Sequence, residues 1–136
     1  MVWGCITSNG VGWLYCITGM MNAIQYCRVL EQTLIPSIIE AGFHPWSVSF
    51  QQDNARVHMA KISNKKITEL GLHLMPWPAG SPDMNIIEHV WAILKIRIRH
   101  RTQKPKNLDE LWVATQEEWY RIPKRQIETL YESVPR

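Results

Sequence analysis

Cysteine is scarce in this sequence: there are three, Cys5, Cys16 and Cys27, and their spacing matches no metal-ligand motif. An odd number argues against a closed disulfide framework, which favours a reducing, intracellular setting. Long apolar runs are also lacking, since none approaches the roughly 20 residues that cross a bilayer as a helix. The amino terminus carries no basic segment followed by an apolar stretch and a small-residue cleavage site. Secretion and membrane spanning are both disfavoured. Charged residues make up only 20% of the chain.

What is present suits one folded domain. The 136 residues are 46% hydrophobic and include seven tryptophans, large apolar bodies that need burial or stacking partners. The net charge of +3 is modest but unevenly placed. Lys95, Arg97, Arg99, Arg101, Lys104 and Lys106 follow one another with no acid between His89 and Asn107. Such a cluster reads either as a nucleic-acid surface or as a solvated helix end with cations near its carboxy terminus, and alone it does not decide between them.

Periodicity sets the elements. Met1 to Thr7 and Val11 to Thr18 flank Ser8-Asn9-Gly10, which predicts an antiparallel hairpin. From Asn22, a candidate N-cap, Cys27, Leu30, Leu34 and Ile38 form a helical stripe that ends at Gly42, with a kink expected at Pro36. Trp46 to Gln51 reads as a strand running into Asp53, Ala55 to Leu70 as a helix closed by Gly71, and Leu72 to Met75 as another strand. Ser81-Pro82 is the expected cap and first-turn proline of a helix running to about His100. Asn107 with Glu110 predicts a capping box, and Pro123 opens a last helix with the stripe Ile127, Leu130, Tyr131 and Val134. The order implies an α/β fold, a mixed sheet with helices packed on it.

Two carboxylates stand out. Asp53 closes a predicted strand, and carboxyl ends of strands are favoured ligand positions. Taken alone, Asp53-Asn54 reads more simply as the cap of the following helix. Glu88 falls beside the apolar stripe Ile87, Trp91, Leu94 and Ile98, on a face shared with Ala92, Lys95 and Arg99, where a phosphate backbone could run. An ordinary exposed glutamate is the plainer alternative. Asp83 fits a first-turn acid, His58 a surface hydrogen bond or a substrate contact, and Trp77 a core cover or a base-stacking platform.

Met1-Val-Trp-Gly-Cys, Phe50-Gln-Gln-Asp-Asn-Ala with His58 beyond it, Trp77-Pro-Ala-Gly-Ser-Pro-Asp-Met-Asn-Ile-Ile-Glu-His-Val-Trp and the closing Tyr131-Glu-Ser-Val-Pro-Arg together resemble the DDE domain of Tc/mariner transposases. The resemblance covers nearly the whole chain, 1–136 reading as one partial DDE endonuclease domain. Thirty-four residues separate Asp53 from Glu88, one of the family's characteristic spacings. Arg56 and Ile86 stand where the family usually has proline, and neither change removes a carboxylate.

The resemblance implies a ribonuclease H-like mixed sheet flanked by helices, in which three carboxylates hold two Mg2+ or Mn2+ ions for DNA cleavage and strand transfer. Asp53 matches the second acid and Glu88 the third. The first lies in the family on a strand upstream of the hairpin, and no residue here takes that role by motif, so the fold is expected to be incomplete at its amino-terminal side. DNA, both transposon ends and target, is the implied partner, with Lys95, Arg97, Arg99 and Arg101 on its backbone. A homodimer and a nuclear location are further expectations. The alternative is a catalytically inactive, transposon-derived module that binds nucleic acid or a partner.

Overall fold

The computed structural model describes residues 1–52, 55–75 and 86–133. Its elements are β1 (Val2–Thr7), β2 (Gly10–Cys16), α1 (Ala23–Val29), α2 (Ile35–Glu40), β3 (Ser49–Phe50), α3 (Arg56–Met59), α4 (Lys61–Glu69), β4 (His73–Leu74), α5 (Ile86–Arg99), α6 (Leu108–Arg121) and α7 (Lys124–Glu132). The expectations placed on Asp53, Asn54, Trp77, Ser81, Pro82, Asp83 and Val134 lie outside the described residues.

The hairpin forms where the turn signal put it. Gly10 takes a φ of 120°, a conformation open to glycine but strained for other residues, and Met1 and Ile17 close the open end through Ile17 N–H to Met1 O at 2.8 Å. β2 then approaches α2 through Gly12. A methyl group there would sit 2.4 Å from Cys5 Sγ and 3.0 Å from Ser37 Cβ, while the Trp13 amide donates to Ser37 Oγ at 2.9 Å.

Asn22 caps α1 reciprocally: its side chain accepts from the Gln25 amide at 2.8 Å, and Gln25 Oε1 accepts from the Asn22 amide at 3.0 Å. Before Pro36 the helix widens into a π-helical stretch, Leu30–Leu34, and resumes as α2. Proline lacks the N–H for the next helical bond and its ring crowds the preceding turn, so a wider turn relieves the conflict that was expected to appear as a kink. The end of α2 is a Schellman cap. Gly42 sits at a φ of 92°, with its amide bonded to Ile39 O and that of Phe43 to Ile38 O. α4 ends in the same way at Gly71.

Three sequence expectations shift. The strand expected over Trp46 to Gln51 is only Ser49–Phe50, because Pro45 opens a 3-10 turn over Pro45–Ser47. The single helix expected over Ala55 to Leu70 breaks at Ala60, which is extended. Polar side chains take the freed carbonyls there: Ser63 Oγ donates to Val57 O at 2.5 Å and Asn64 Nδ2 to Met59 O at 3.2 Å. Asn107 caps α6 through the Glu110 amide, but Glu110 Oε2 accepts from the Lys106 amide, one residue away from a reciprocal box.

β1 and β2 form one two-stranded sheet, and β3 and β4 pair in parallel, Ser49 opposite His73 and Phe50 opposite Leu74. The chain divides into two compact units. The first comprises Met1–Cys5 with Gly12–Ser81, the second Ile6–Val11 with Pro82–Arg136. In the first, Cys5, Tyr26, Leu30, Leu34, Ile38, Ile67 and Leu72 form the core, so the stripe read from the sequence is the buried face. Each such aliphatic side chain contributes on the order of 1.5–3 kcal/mol by leaving water. In the second, α5 packs on α6 and α7, with Val90, Trp119 and Ile127 fully buried and Trp91 stacked on Trp119 at 4.9 Å.

Candidate metal and nucleic-acid site

The segment that ends at Gln52 is built on the parallel pair. β3 and β4 run the same way, so their carboxyl ends share one edge, and the Met75 amide extends the pairing by donating to Phe50 O at 2.7 Å. Beyond the strand, the Gln52 side-chain oxygen accepts from Tyr26 Oη, and Gln52 Nε2 donates to His58 O at 3.2 Å. The His58 ring lies against Tyr26 with centroids 4.3 Å apart. His58 is thus half-buried against the core of its unit.

Glu88 lies in the first turn of α5 as described, exposed, and it forms no ion pair with any described residue. Ala92, Lys95 and Arg99 follow on the same face and are exposed too, while Val90 and Leu94 turn into the core. The face read from the sequence is real, although Val90, not Ile87 or Trp91, is its most deeply buried counterpart.

The four cations are sorted by face. Lys95 and Arg99 point to solvent. Arg97 and Arg101 are held by α6: Arg97 Nε lies 3.3 Å from Glu118 Oε1, Arg101 Nη1 is 2.7 Å from Glu118 Oε2, and Arg101 Nη2 is 3.1 Å from Glu117 Oε2. Arg121 adds a third cation to Glu118 at 3.4 Å. The hydrogen bonds that Arg101 donates, first to Glu118 and then to Glu117, raise its pKa above its ordinary value. Glu118, only 7% exposed, is the residue sequence reading missed. Its signal was the acid pair Glu117-Glu118 on the helix that follows an acid-free basic run. Nearby, Lys104 and Lys106 line an open groove with Asp109 and Glu110, so its charge is mixed.

Carboxylate oxygens suit hard divalent cations, and Glu88 offers one that no described cation occupies. Among the described residues no three His, Cys, Asp or Glu side chains converge as a metal cage. Burial pushes the Cys5 thiol up to about 11, against weaker lowering by hydrogen bonds with Ser37 and Trp13, which keeps it protonated at neutral pH.

Residues 1–112 match the DDE superfamily endonuclease model, and the chain belongs to that family. Its similarity is to Tc1-type transposases. The chain is 34% identical over its whole length to the Tc1 transposase of Caenorhabditis elegans and 33% identical to the Tcb1 transposase of Caenorhabditis briggsae, spanning 48% of each. The chain thus spans about half the length of the curated relatives it matches. Among solved structures, the Mos1 mariner paired-end complex with Mn aligns over 98% of this chain and 40% of its own at a TM-score of 0.83 and 18% identity. The Mos1 catalytic domain with raltegravir and Mg aligns over 98% and 69% at 0.77. The fold is therefore ribonuclease H-like, small sheets flanked by helices, as expected.

Proposed function

We propose that this chain carries two of the three metal-binding carboxylates, Asp53 and Glu88, of a DNA transposase that cleaves transposon ends and joins them to target DNA. The observation that carries the reading is the exposed face of α5, where Glu88 lies in line with Lys95 and Arg99 and pairs with no described residue. Family membership and the Mos1 structures containing Mg or Mn support the choice of metal.

In this reading Asp53 and Glu88 would ligate Mg2+ or Mn2+, two ions in the complete domain, with the third acid supplied by residues outside this chain. Such ions stabilise the charge that develops on the attacking and leaving oxygens of an in-line displacement at phosphorus. Lys95 and Arg99 bind flanking phosphates and align the strand. Water attack releases a 3′-hydroxyl, which then attacks target DNA. The substrate implies a nuclear protein, and pairing of two transposon ends implies a homodimer.

Magnesium- or manganese-dependent nicking of duplex DNA by the chain and by Asp53→Ala tests this. Loss of nicking in the variant supports the assignment. Equal activity in both, or none in either, removes catalysis from this polypeptide and leaves a transposase-derived binding module.

A further inference from the structure

We propose that Arg56, Lys61 and Lys65 form a second surface for the phosphate backbone of duplex DNA, carried by α3 and α4 of the first unit in addition to the face of α5. The sequence from Asn54 to Thr68 holds Arg56, His58, Lys61, Lys65 and Lys66 and no acid. Folding divides this basic run much as it divides the one on α5. Lys66 turns to acids, its Nζ lying 3.4 Å from Glu31 Oε2 and 3.6 Å from Glu69 Oε2. Arg56, Lys61 and Lys65 are exposed and pair with no described residue.

Ser63 and Ile67, one turn apart, are the buried line of α4. Lys65 lies two positions from both and Lys61 two positions from Ser63, which at about 100° per residue puts the two lysines on the opposite side. Four positions apart, they are neighbours with roughly 5–6 Å between Cβ atoms. α3 is held to α4 by Ser63 Oγ, which donates to Val57 O at 2.5 Å, and by Asn64 Nδ2, which donates to Met59 O at 3.2 Å. Arg56 therefore belongs to the same packed pair of helices.

This arrangement does not serve the fold. Like charges four positions apart on a helix repel. Lys61 is the first residue of α4, where the helix dipole favours an acid, and neither helix has an acid in its first turn. A polyanion removes both penalties. Duplex DNA carries a charge about every 1.7 Å of its axis, so neighbouring cations meet separate phosphates and release a counterion at each.

The inference rests on the reading of the chain as acting on DNA, and the variants separate the two. Fluorescence anisotropy of a labelled duplex at several KCl concentrations is measured on the whole chain, with thermal denaturation of each protein. The proteins are wild type, Arg56→Gln/Lys61→Gln/Lys65→Gln, the charge-keeping Arg56→Lys/Lys61→Arg/Lys65→Arg, and Lys95→Gln/Arg99→Gln. At about 0.9 per neutralised phosphate, the triple glutamine variant should lose about 2.7 from the slope of log affinity against log salt. The charge-keeping variant should retain the wild-type slope. Neither should melt earlier, because no described partner is lost.

Absence of duplex binding by wild type would overturn the DNA reading together with this surface. A slope reduced in Lys95→Gln/Arg99→Gln but unchanged in the triple glutamine variant would overturn this surface alone and leave it to solvent or to an acidic protein. Equal losses in the glutamine and charge-keeping variants would overturn it as well, since charge would then not be the cause. If the triple glutamine variant does not fold, Lys61→Gln/Lys65→Gln decides by the same criterion, with an expected loss of about 1.8.

Discussion

The division of cations on α5 predicts how DNA binding responds to salt. Replacing Lys95 and Arg99 with glutamine removes two exposed charges that form no ion pair with described residues. If each neutralises one phosphate, each contributes about 0.9 to the slope of log affinity against log salt on duplex DNA, so the pair removes about 1.8. Between 50 and 200 mM salt that difference amounts to roughly a tenfold change in relative affinity. Replacing Arg97 and Arg101 with glutamine instead strips two of the three cations from buried Glu118. That variant should keep the slope nearly unchanged and lose thermal stability, since a buried carboxylate is left with fewer partners. The assay is fluorescence anisotropy of a labelled duplex at several KCl concentrations, with thermal denaturation of the same proteins. Equal slope changes in the two variants would refute the sorting by face, and an unchanged slope in Lys95→Gln/Arg99→Gln would return that face to bare solvent exposure.

Gly12→Ala should destabilise the chain by about 1–3 kcal/mol, because the new methyl meets Cys5 Sγ at 2.4 Å. Adding Cys5→Ala should recover part of that loss, and purely additive melting data for the two changes would show that the sulfur is not the obstacle. Thiol titration with a disulfide reagent at pH 8 should label exposed Cys16 quickly and buried Cys5 and Cys27 only on unfolding, so three equally fast thiols would contradict their burial. The folded Cys5 pKa of about 11 lies above its ordinary 9.0, so its contribution to stability is full below about pH 9 and is lost as pH rises towards 11. Cys5→Ala should flatten that decline in urea melts, and an identical decline in both proteins would assign it to other groups.

Local chemistry was legible in the sequence because it depends on neighbours along the chain. The hairpin turn at Gly10, the Asn22 cap, the helix stops at Gly42 and Gly71 and the stripe Cys27, Leu30, Leu34 and Ile38 all follow from φ preferences, orphan amides and a 3.6-residue period. The motifs around Asp53 and Glu88 were enough to mark the family. Periodicity also put Glu88, Lys95 and Arg99 on one face.

Only the tertiary structure decided which neighbours those residues meet. A basic run gives no sign that Arg97 and Arg101 turn to Glu118 some twenty positions on while Lys95 and Arg99 stay in water, because that choice depends on the packing of α5 against α6. The break at Ala60 likewise reflects Ser63 and Asn64 competing for backbone carbonyls, which propensity alone does not weigh. The tether from Tyr26 through Gln52 to His58 joins residues 26 and 32 positions apart. Sequence fixes what each of these groups can donate or accept, and folding alone sets the distances over which hydrogen bonds and ion pairs act.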